Sequence, residues 1–460
     1  MNAKRKLAQT QRCVKKHAQE IGATDFFNLL TSRELLDTVE VLSPPFRERR
    51  FPPTETLSMF LSQAMSADRS CQNIVGISAL QQSVSGLPPH SVRTGSYCKA
   101  RQRLPLEMIA GLVRCTGQLI DARVPTCWRW QGRRVRLIDG TTITLPDTLE
   151  NQAVYPQQEG QKPGLGFPIC RVVGIVCLAS GSVVNAAMGP YKGKGADEQT
   201  LLRGILDTFT AGDIVVGDAY YATYFLLAEL RTRGVDAVFE QFGARRRSTD
   251  FRKGRKLGKS DHLVEYTKPC QKPDWMADDD YHAVPDTLTI RELRVDKKIL
   301  VTTLLSSGRA SRHSLKQLYK DRWHVELALR NIKTTMGLET FSCKSPAMAE
   351  KELWVYLLAY NLIRLIMAQS AMQADILPRQ ISFKHSLRIW HAHRQWGIVD
   401  GAGSIQTLCA LIAEITVNNR PGRVEPRAVK RRPKPYPLLT KRRDEARELV
   451  KKYGHPKKQK

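Results

Sequence analysis

Between residues 54 and 64 the apolar positions Leu57, Phe60, Leu61 and Ala64 recur at i, i+3, i+4 and i+7, the spacing of one buried helix face. Pro52 and Pro53 precede them, and Thr54 stands where a helix cap is expected. Helical text of this kind runs from Met1 to about Trp130. At Arg134 the pattern changes to short β-rich runs, RVRLIDG, TTITLP, ICRVVGIVCLAS and VVNAAMGP, separated by glycine and polar turns. A helix (ADEQTLLRGILDTF), a strand (DIVVGD) and a second helix (TYFLLAELRTRG) follow. Strands return in VDAVFEQ, HLVEYTKP, LTIRELRV and KILVTTLL, and helices then continue to about Val417. Strand, helix, strand, helix is an α/β layout.

The most informative pattern lies in LYKDRWHVELALRNIKTTMG. On a helix turning 100° per residue, with Tyr319 at zero, Arg322 falls near about −60°, Glu326 about −20°, Arg330 about +20° and Lys333 about −40°. Leu318, Val325, Leu329, Ile332 and Met336 gather on a neighbouring face. One side is therefore a core side, and the other is a basic strip holding a single carboxylate. Ser314 followed by Gln317 has the capping-box pattern, and Gly337 falls at the expected stop. Alone, such a strip reads as an ordinary solvated face.

Charge enlarges the picture. Lys and Arg number 72 against 44 Asp and Glu in 460 residues, a formal charge of +28, which predicts attraction to a polyanion, with nucleic acid the default partner. The segment RRRSTDFRKGRKLGK carries eight basic residues, among them Arg245, Arg246 and Lys253, and one acid, a density suited to phosphate contact. Lys99, Arg101 and Arg103 mark SYCKARQRL as a second segment that could face DNA. From Arg420 to Lys460 there are 16 basic and 4 acidic residues, a basic tail. The most apolar stretch, Leu353 to Ala368, is short for a bilayer and is interrupted by Asn361 and Arg364, so a buried helix is expected. No signal peptide or lipid anchor is recognisable, and the ten cysteines are scattered without a C-x-x-C pair, which fits a reducing cytoplasm.

Asp139 and Asp218 both stand at the C-terminal ends of apolar strands, where open α/β sheets place their chemistry. Two strand-end carboxylates and Glu326 are the parts needed to hold two Mg²⁺ ions about 4 Å apart for in-line attack at a phosphodiester, and Mn²⁺ is the expected substitute. The interval from Asp218 to Glu326 exceeds what a direct helix return needs. The excess is the β-rich segment, an expected insertion within an RNase H-like core.

With LIDGTT around Asp139, VVGDAYY around Asp218 and the spacing Y-x2-R-x3-E-x6-K at Tyr319, Arg322, Glu326 and Lys333, the chain resembles the bacterial insertion-sequence DDE transposases that carry the Tyr-Arg-Glu-Lys signature. The resemblance covers roughly residues 130 to 370. It implies a retroviral-integrase-type fold with helical terminal regions, and cut-and-paste transposition through hairpin ends. It also implies that Tyr319, Arg322 and Lys333 hold DNA phosphates, with Arg330 a further cation on that face. Related enzymes stack a flipped base on a Trp of the insertion, and Trp275 in KPDWMADDD is the candidate here. Trp323 is nearer Glu326 and could instead pack on a strand. The implied partners are double-stranded transposon terminal inverted repeats and target DNA, bound by a homodimer on the bacterial nucleoid.

The expected division is a helical DNA-binding region 1–130, a catalytic core in two parts, 131–235 and 311–400, a β-rich insertion 236–310, and a C-terminal helix with basic tail, 401–460. Two other functions fit the same residues: a nuclease or resolvase of this fold without strand transfer, and a transposase-derived DNA-binding protein that no longer cuts.

Overall fold

A computed structural model of the chain describes residues 50–193, 195–395, 402–417 and 440–454. The expectations for residues 1–49 and for most of the basic tail lie outside them. The fold is mixed α/β around one large sheet. Its strands are β1 (Val135–Thr144), β2 (Ile169–Cys177), β3 (Val183–Pro190), β4 (Ile214–Gly217), β5 (Asp236–Glu240), β6 (Arg255–Gly258), β7 (Asp261–Thr267), β8 (Thr287–Val295) and β9 (Lys298–Thr302). They lie in the order β3-β2-β1-β4-β5-β9-β8-β7-β6, with β4 parallel to both β1 and β5 and the other pairs antiparallel. The strands of the 236–310 segment thus extend the sheet, because β5 pairs directly with β4 and β9 with β5.

Alternation along the central strands gives the sheet two apolar faces. Leu137, Ile214, Val216 and Val238 join one core, and Ile138, Val215, Ala237 and Phe239 join the other. Helices cover both. The Pro346–Gln373 helix lies in the first core with the Pro53–Met65 and Leu106–Arg123 helices, and the Tyr224–Thr232 helix lies in the second. Although long and apolar enough to cross a bilayer, the Pro346–Gln373 helix is 89% buried over its most apolar window. Its polar residues have internal partners: the Asn361 amide bonds both backbone groups of Val183 and donates to the Val113 carbonyl, tying a helix of the N-terminal region to the sheet.

That junction is close. A Cβ on Gly117 would lie 2.4 Å from the Val183 carbonyl oxygen, backbone that cannot swing aside. Gly117→Ala is therefore expected to destabilise the fold by about 1–3 kcal/mol through overpacking, despite alanine's better helix propensity. A urea melt checks this; an unchanged midpoint would count against the packing argument.

Several elements differ from the sequence pattern. RVRLIDG and TTITLP form one strand, with Asp139 inside β1 and not at its end, because Gly140 to Thr144 continue the pairing with β2. The first helix among the described residues begins at Pro53 with Pro52 at the cap, and Thr56 supplies the hydroxyl that returns to the Pro52 carbonyl. ADEQTLLRGILDTF divides into a helix, Glu198–Arg203, and a single 3₁₀ turn, Leu206–Thr208. The basic segment is not wholly loop, since it contains the Gly243–Ser248 helix and β6. Arg101 turns inward over Phe60 and Tyr97, so of the SYCKARQRL cations only Lys99 and Arg103 are exposed.

Candidate active site

The parallel pairing of β1 with β4 ends at Leu137 opposite Val216. Asp139 and Asp218 each lie two residues further on their own chain, so the register itself brings the two residues abreast, near enough for the Asp218 charge to act on Asp139. Asp218 leaves the strand as the cap of the Ala219–Tyr221 turn, accepting from the Tyr220 N–H at 2.9 Å. Asp139 accepts from the Gly140 N–H at 2.9 Å and faces Gly174 across the β1–β2 ladder. Burial pushes its carboxyl from the ordinary 3.8 up to about 7. The Gly140 N–H and the Arg322 guanidinium act against that rise, and the charges of Asp218 and Glu198 add to it.

The signature segment is not one straight helix. It starts at Ser311, which accepts from the Ser314 N–H, so the cap lies three residues before the expected one. The Arg312–Asp321 and Trp323–Arg330 helices meet at Arg322, where the bonds tighten to the i+3 pattern. Residues Asn331–Thr335 form a π turn closed by Met336 N–H to the Asn331 carbonyl. Gly337 then takes a φ of +83°, which suits glycine and ends the segment as expected.

Those irregularities set where the signature side chains go. Arg322 donates to Glu326 Oε1 at 2.7 Å. Lys333, re-aimed by the π turn, donates to the Thr142 carbonyl at 2.7 Å and the Thr141 hydroxyl at 3.2 Å, and so pins the segment to β1. Tyr319 is buried, and its hydroxyl donates to Glu240 Oε2 at 3.1 Å. Arg330 is exposed. An open cleft of about 480 Å³ is lined by Asp139, Thr141, Glu326, Arg330 and Lys333. Among the described residues no three acidic, His or Cys side chains yet close on one cation-sized point.

The remaining candidates lie apart from this cleft's lining. Arg245 stacks over the Tyr266 ring with its guanidinium carbon 3.1 Å from the centroid. Arg246 belongs to the Gly243–Ser248 helix, and its side chain is outside the described set. Lys253 is exposed, and its carbonyl accepts from His262 at 2.7 Å. Trp275 is 45% exposed, edge-on to Phe225 and capped by Arg203. Trp323, the residue that could have packed on a strand, is 56% exposed instead. Its neighbours Arg322 and Val325 take the inward positions.

One acid was missed by the sequence reading. Glu198, at the start of the helix after β3, directs its carboxylate onto Gly140, where a built Cβ would lie 2.1 Å from Glu198 Cδ. Asp197 caps this helix in the ordinary way, so the Asp-Glu pair looked like a helix start and nothing more.

Residues 130–362 match the family described as Transposase DDE domain. The transposase InsG for insertion sequence element IS4 of Escherichia coli (strain K12) is 30% identical over 411 residues, covering 86% of this chain and 89% of that protein. Among solved structures, the piggyBac transposase synaptic complex with hairpin DNA aligns over 87% of this chain and 86% of that chain, with 11% identity and a TM-score of 0.42, too loose a likeness to bear on residue roles.

Proposed function

We propose, since this chain belongs to the DDE transposase family and is a DNA transposase, that Asp139, Asp218 and Glu326 are its catalytic carboxylates. The observation that carries this reading is the β1–β4 register, which sets Asp218 abreast of Asp139, and Asp139 lines the same cleft as Glu326. DDE transposases work with divalent metal ions, and this donor set fits one: hard oxygen ligands, with Asp139 buried enough to resist ionising until a cation offsets its charge. Two Mg²⁺ ions, replaceable by Mn²⁺, are the proposed occupants. When bound, such ions lower the pKa of an attacking water or 3′-hydroxyl and neutralise charge on the leaving oxygen.

The chain's own residues supply positioning. Arg322, now on Glu326, can pass to a DNA phosphate as that carboxylate turns toward a cation, so one guanidinium serves both states. Lys333 fixes the helix against β1, which keeps Glu326 in register with Asp139. Arg330 is the exposed cation of the cleft and is assigned to a phosphate of the transposon end. Arg330→Ala is expected to weaken end binding and reduce the salt slope of log K by about one. A slope unchanged in gel-shift titrations would remove that contact.

On this reading the sheet from β3 to β4 with the signature helices is an RNase H-like core, 131–235 with 311–400. Residues 236–310 form its β insertion, and 1–130 is the region that grips transposon ends. Two ends must be joined in one event, so the working unit is a homodimer acting on terminal inverted repeats and target DNA in the cytoplasm, through hairpin ends. Arg245, Arg246, Lys253 and Trp275 are assigned to DNA beyond the cleft. The test is a duplex carrying the terminal repeat, incubated with a supercoiled target and Mg²⁺. Joined 3′ ends are expected; cut ends with no joining would favour the nuclease reading, and bound but uncut DNA the non-cutting one.

A further inference from the structure

Alternation along β1 divides its side chains between the two faces of the sheet. Leu137 and Ile143 join the core that contains Val325 and Leu329 of the Trp323–Arg330 helix, whereas Ile138 joins the other. Asp139 and Thr141 belong to the first set, so both face the signature segment. Leu329 lies 3.7 Å from where a Cβ on Gly174 would stand, and Gly174 is the residue paired with Asp139. Thr141 is the next residue along that face, about 7 Å beyond Asp139. It is half-buried and lines the same cleft.

Its hydroxyl is oriented by a neighbour. An ammonium carries three donors and no acceptor. Lys333 spends one proton on the Thr142 carbonyl at 2.7 Å and another on the Thr141 hydroxyl at 3.2 Å. The Thr141 oxygen is therefore the acceptor of that bond, and its own proton must point away from Lys333. Among the described residues no protein acceptor takes that proton. It remains available to the cleft, whose lining also holds the exposed cation Arg330. The ammonium draws electron density from the hydroxyl and so strengthens it as a donor. Thr141 also stands between Asp139 and Lys333. A phosphodiester that reaches from Asp139 to the basic end of the cleft passes over it.

We propose that the Thr141 hydroxyl donates to a non-bridging oxygen of the DNA phosphate held in the cleft. Lys333 then acts on that phosphate through Thr141 while its remaining bond keeps the signature segment on β1. This rests on the reading of Asp139 as the residue beside the scissile phosphate. The ligand is an anionic oxygen, because the site offers one donor backed by a cation, on a protein that acts on DNA.

The test is single-turnover cleavage by the full chain at saturating terminal-repeat duplex with Mg²⁺. Thr141→Val keeps the branched shape that suits a strand and removes the hydroxyl. Cleavage is expected to fall about 10- to 100-fold, the weight of a hydrogen bond to a charged group. Thr141→Ser keeps the donor and should restore most of the rate. Urea melts check folding, and Thr141→Ala replaces the valine variant if that one fails to fold. Because Lys333 also loses an acceptor, a second substrate tells contact from support: a duplex with a phosphorothioate at the scissile phosphate, one diastereomer at a time. Sulfur is a weaker acceptor than oxygen, so the diastereomer that places sulfur at Thr141 should slow the native enzyme more than it slows Thr141→Val. Equal slowing of both proteins by both diastereomers would leave Thr141 as a prop for Lys333 and overturn the proposal, as would a Thr141→Val variant that cuts at the native rate. Asp139→Asn separates the two readings. If it is inactive while Thr141→Val cuts normally, the hydroxyl contact falls and the aspartate assignment stands. If Asp139→Asn still cuts, both fall.

Discussion

Asp139→Asn, Asp218→Asn and Glu326→Gln should each lower metal-dependent cleavage of a terminal-repeat duplex by about a thousandfold or more. Divalent ions contribute several kcal/mol of charge stabilisation at a phosphodiester, and each 1.4 kcal/mol is a factor of ten. The amides keep the local bonds, the Gly140 N–H to residue 139 and the Tyr220 N–H to residue 218, so duplex binding should survive. Asp139→Asn carries a second signature. The folded state holds a proton on Asp139 up to about pH 7, whereas the unfolded chain releases it near 3.8. In metal-free buffer the native protein therefore loses stability as pH rises from about 4 through 7, because ionised Asp139 is better solvated unfolded. Asn has no charge to expose, so the variant should match the native protein near pH 4 and exceed it above pH 7. The gain is about 1–2 kcal/mol once screening at an open cleft is allowed for. Paired gels and urea melts check this. A variant that still cuts would remove Asp139 from the catalytic set, and one that melts like the native protein at pH 8 would show that burial does not strain this carboxyl.

Much of this arrangement was legible in the sequence. Runs such as DIVVGD and VDAVFEQ are short, apolar and bounded by turns, and they fold as β4 and β5 where the pattern put them. The spacing of Tyr319, Arg322, Glu326 and Lys333 located the helical carboxylate, because period and charge agree there. What escaped depends on geometry that periodicity does not encode. A straight helix was assumed through Lys333, and the π turn at Asn331–Thr335 instead swings that amine onto the Thr142 carbonyl. Tyr319 looked like an end of the basic strip, yet its hydroxyl goes to Glu240 on β5, a partner that only the β4–β5–β9 pairing brings near. Glu198 escaped because its local sequence is that of any capped helix. Its contacts with Gly140 and the Tyr221 hydroxyl exist only in the fold.

Asp261→Ala should cost the fold about 3–5 kcal/mol, the loss expected when one partner of a buried ion pair is removed and the other stays charged. Arg291 is fully buried on β8 and donates from Nε and Nη2 to the two oxygens of Asp261 on β7, at 2.8 and 2.6 Å. Its Nη1 reaches past the sheet to the Ala310 carbonyl at 2.6 Å, immediately before the Arg312–Asp321 helix. The guanidinium thus links the outer strands to the start of the helix that presents Tyr319 and Arg322. Without Asp261 it would remain desolvated with only carbonyl partners. Replacing both, Arg291→Met with Asp261→Leu, removes the charges together and should restore most of the stability, because a well-packed apolar pair escapes the desolvation penalty. The double variant would still lack the bond to Ala310. It should therefore fold well yet cleave more slowly than the native enzyme, as the signature helix loses one of its anchors. Urea melts of the single and double variants, alongside cleavage rates, separate the two effects. A double variant as unstable as Asp261→Ala would mean that shape and not charge governs this site, and one that is stable with unaltered cleavage would show that the Ala310 bond does not position the helix.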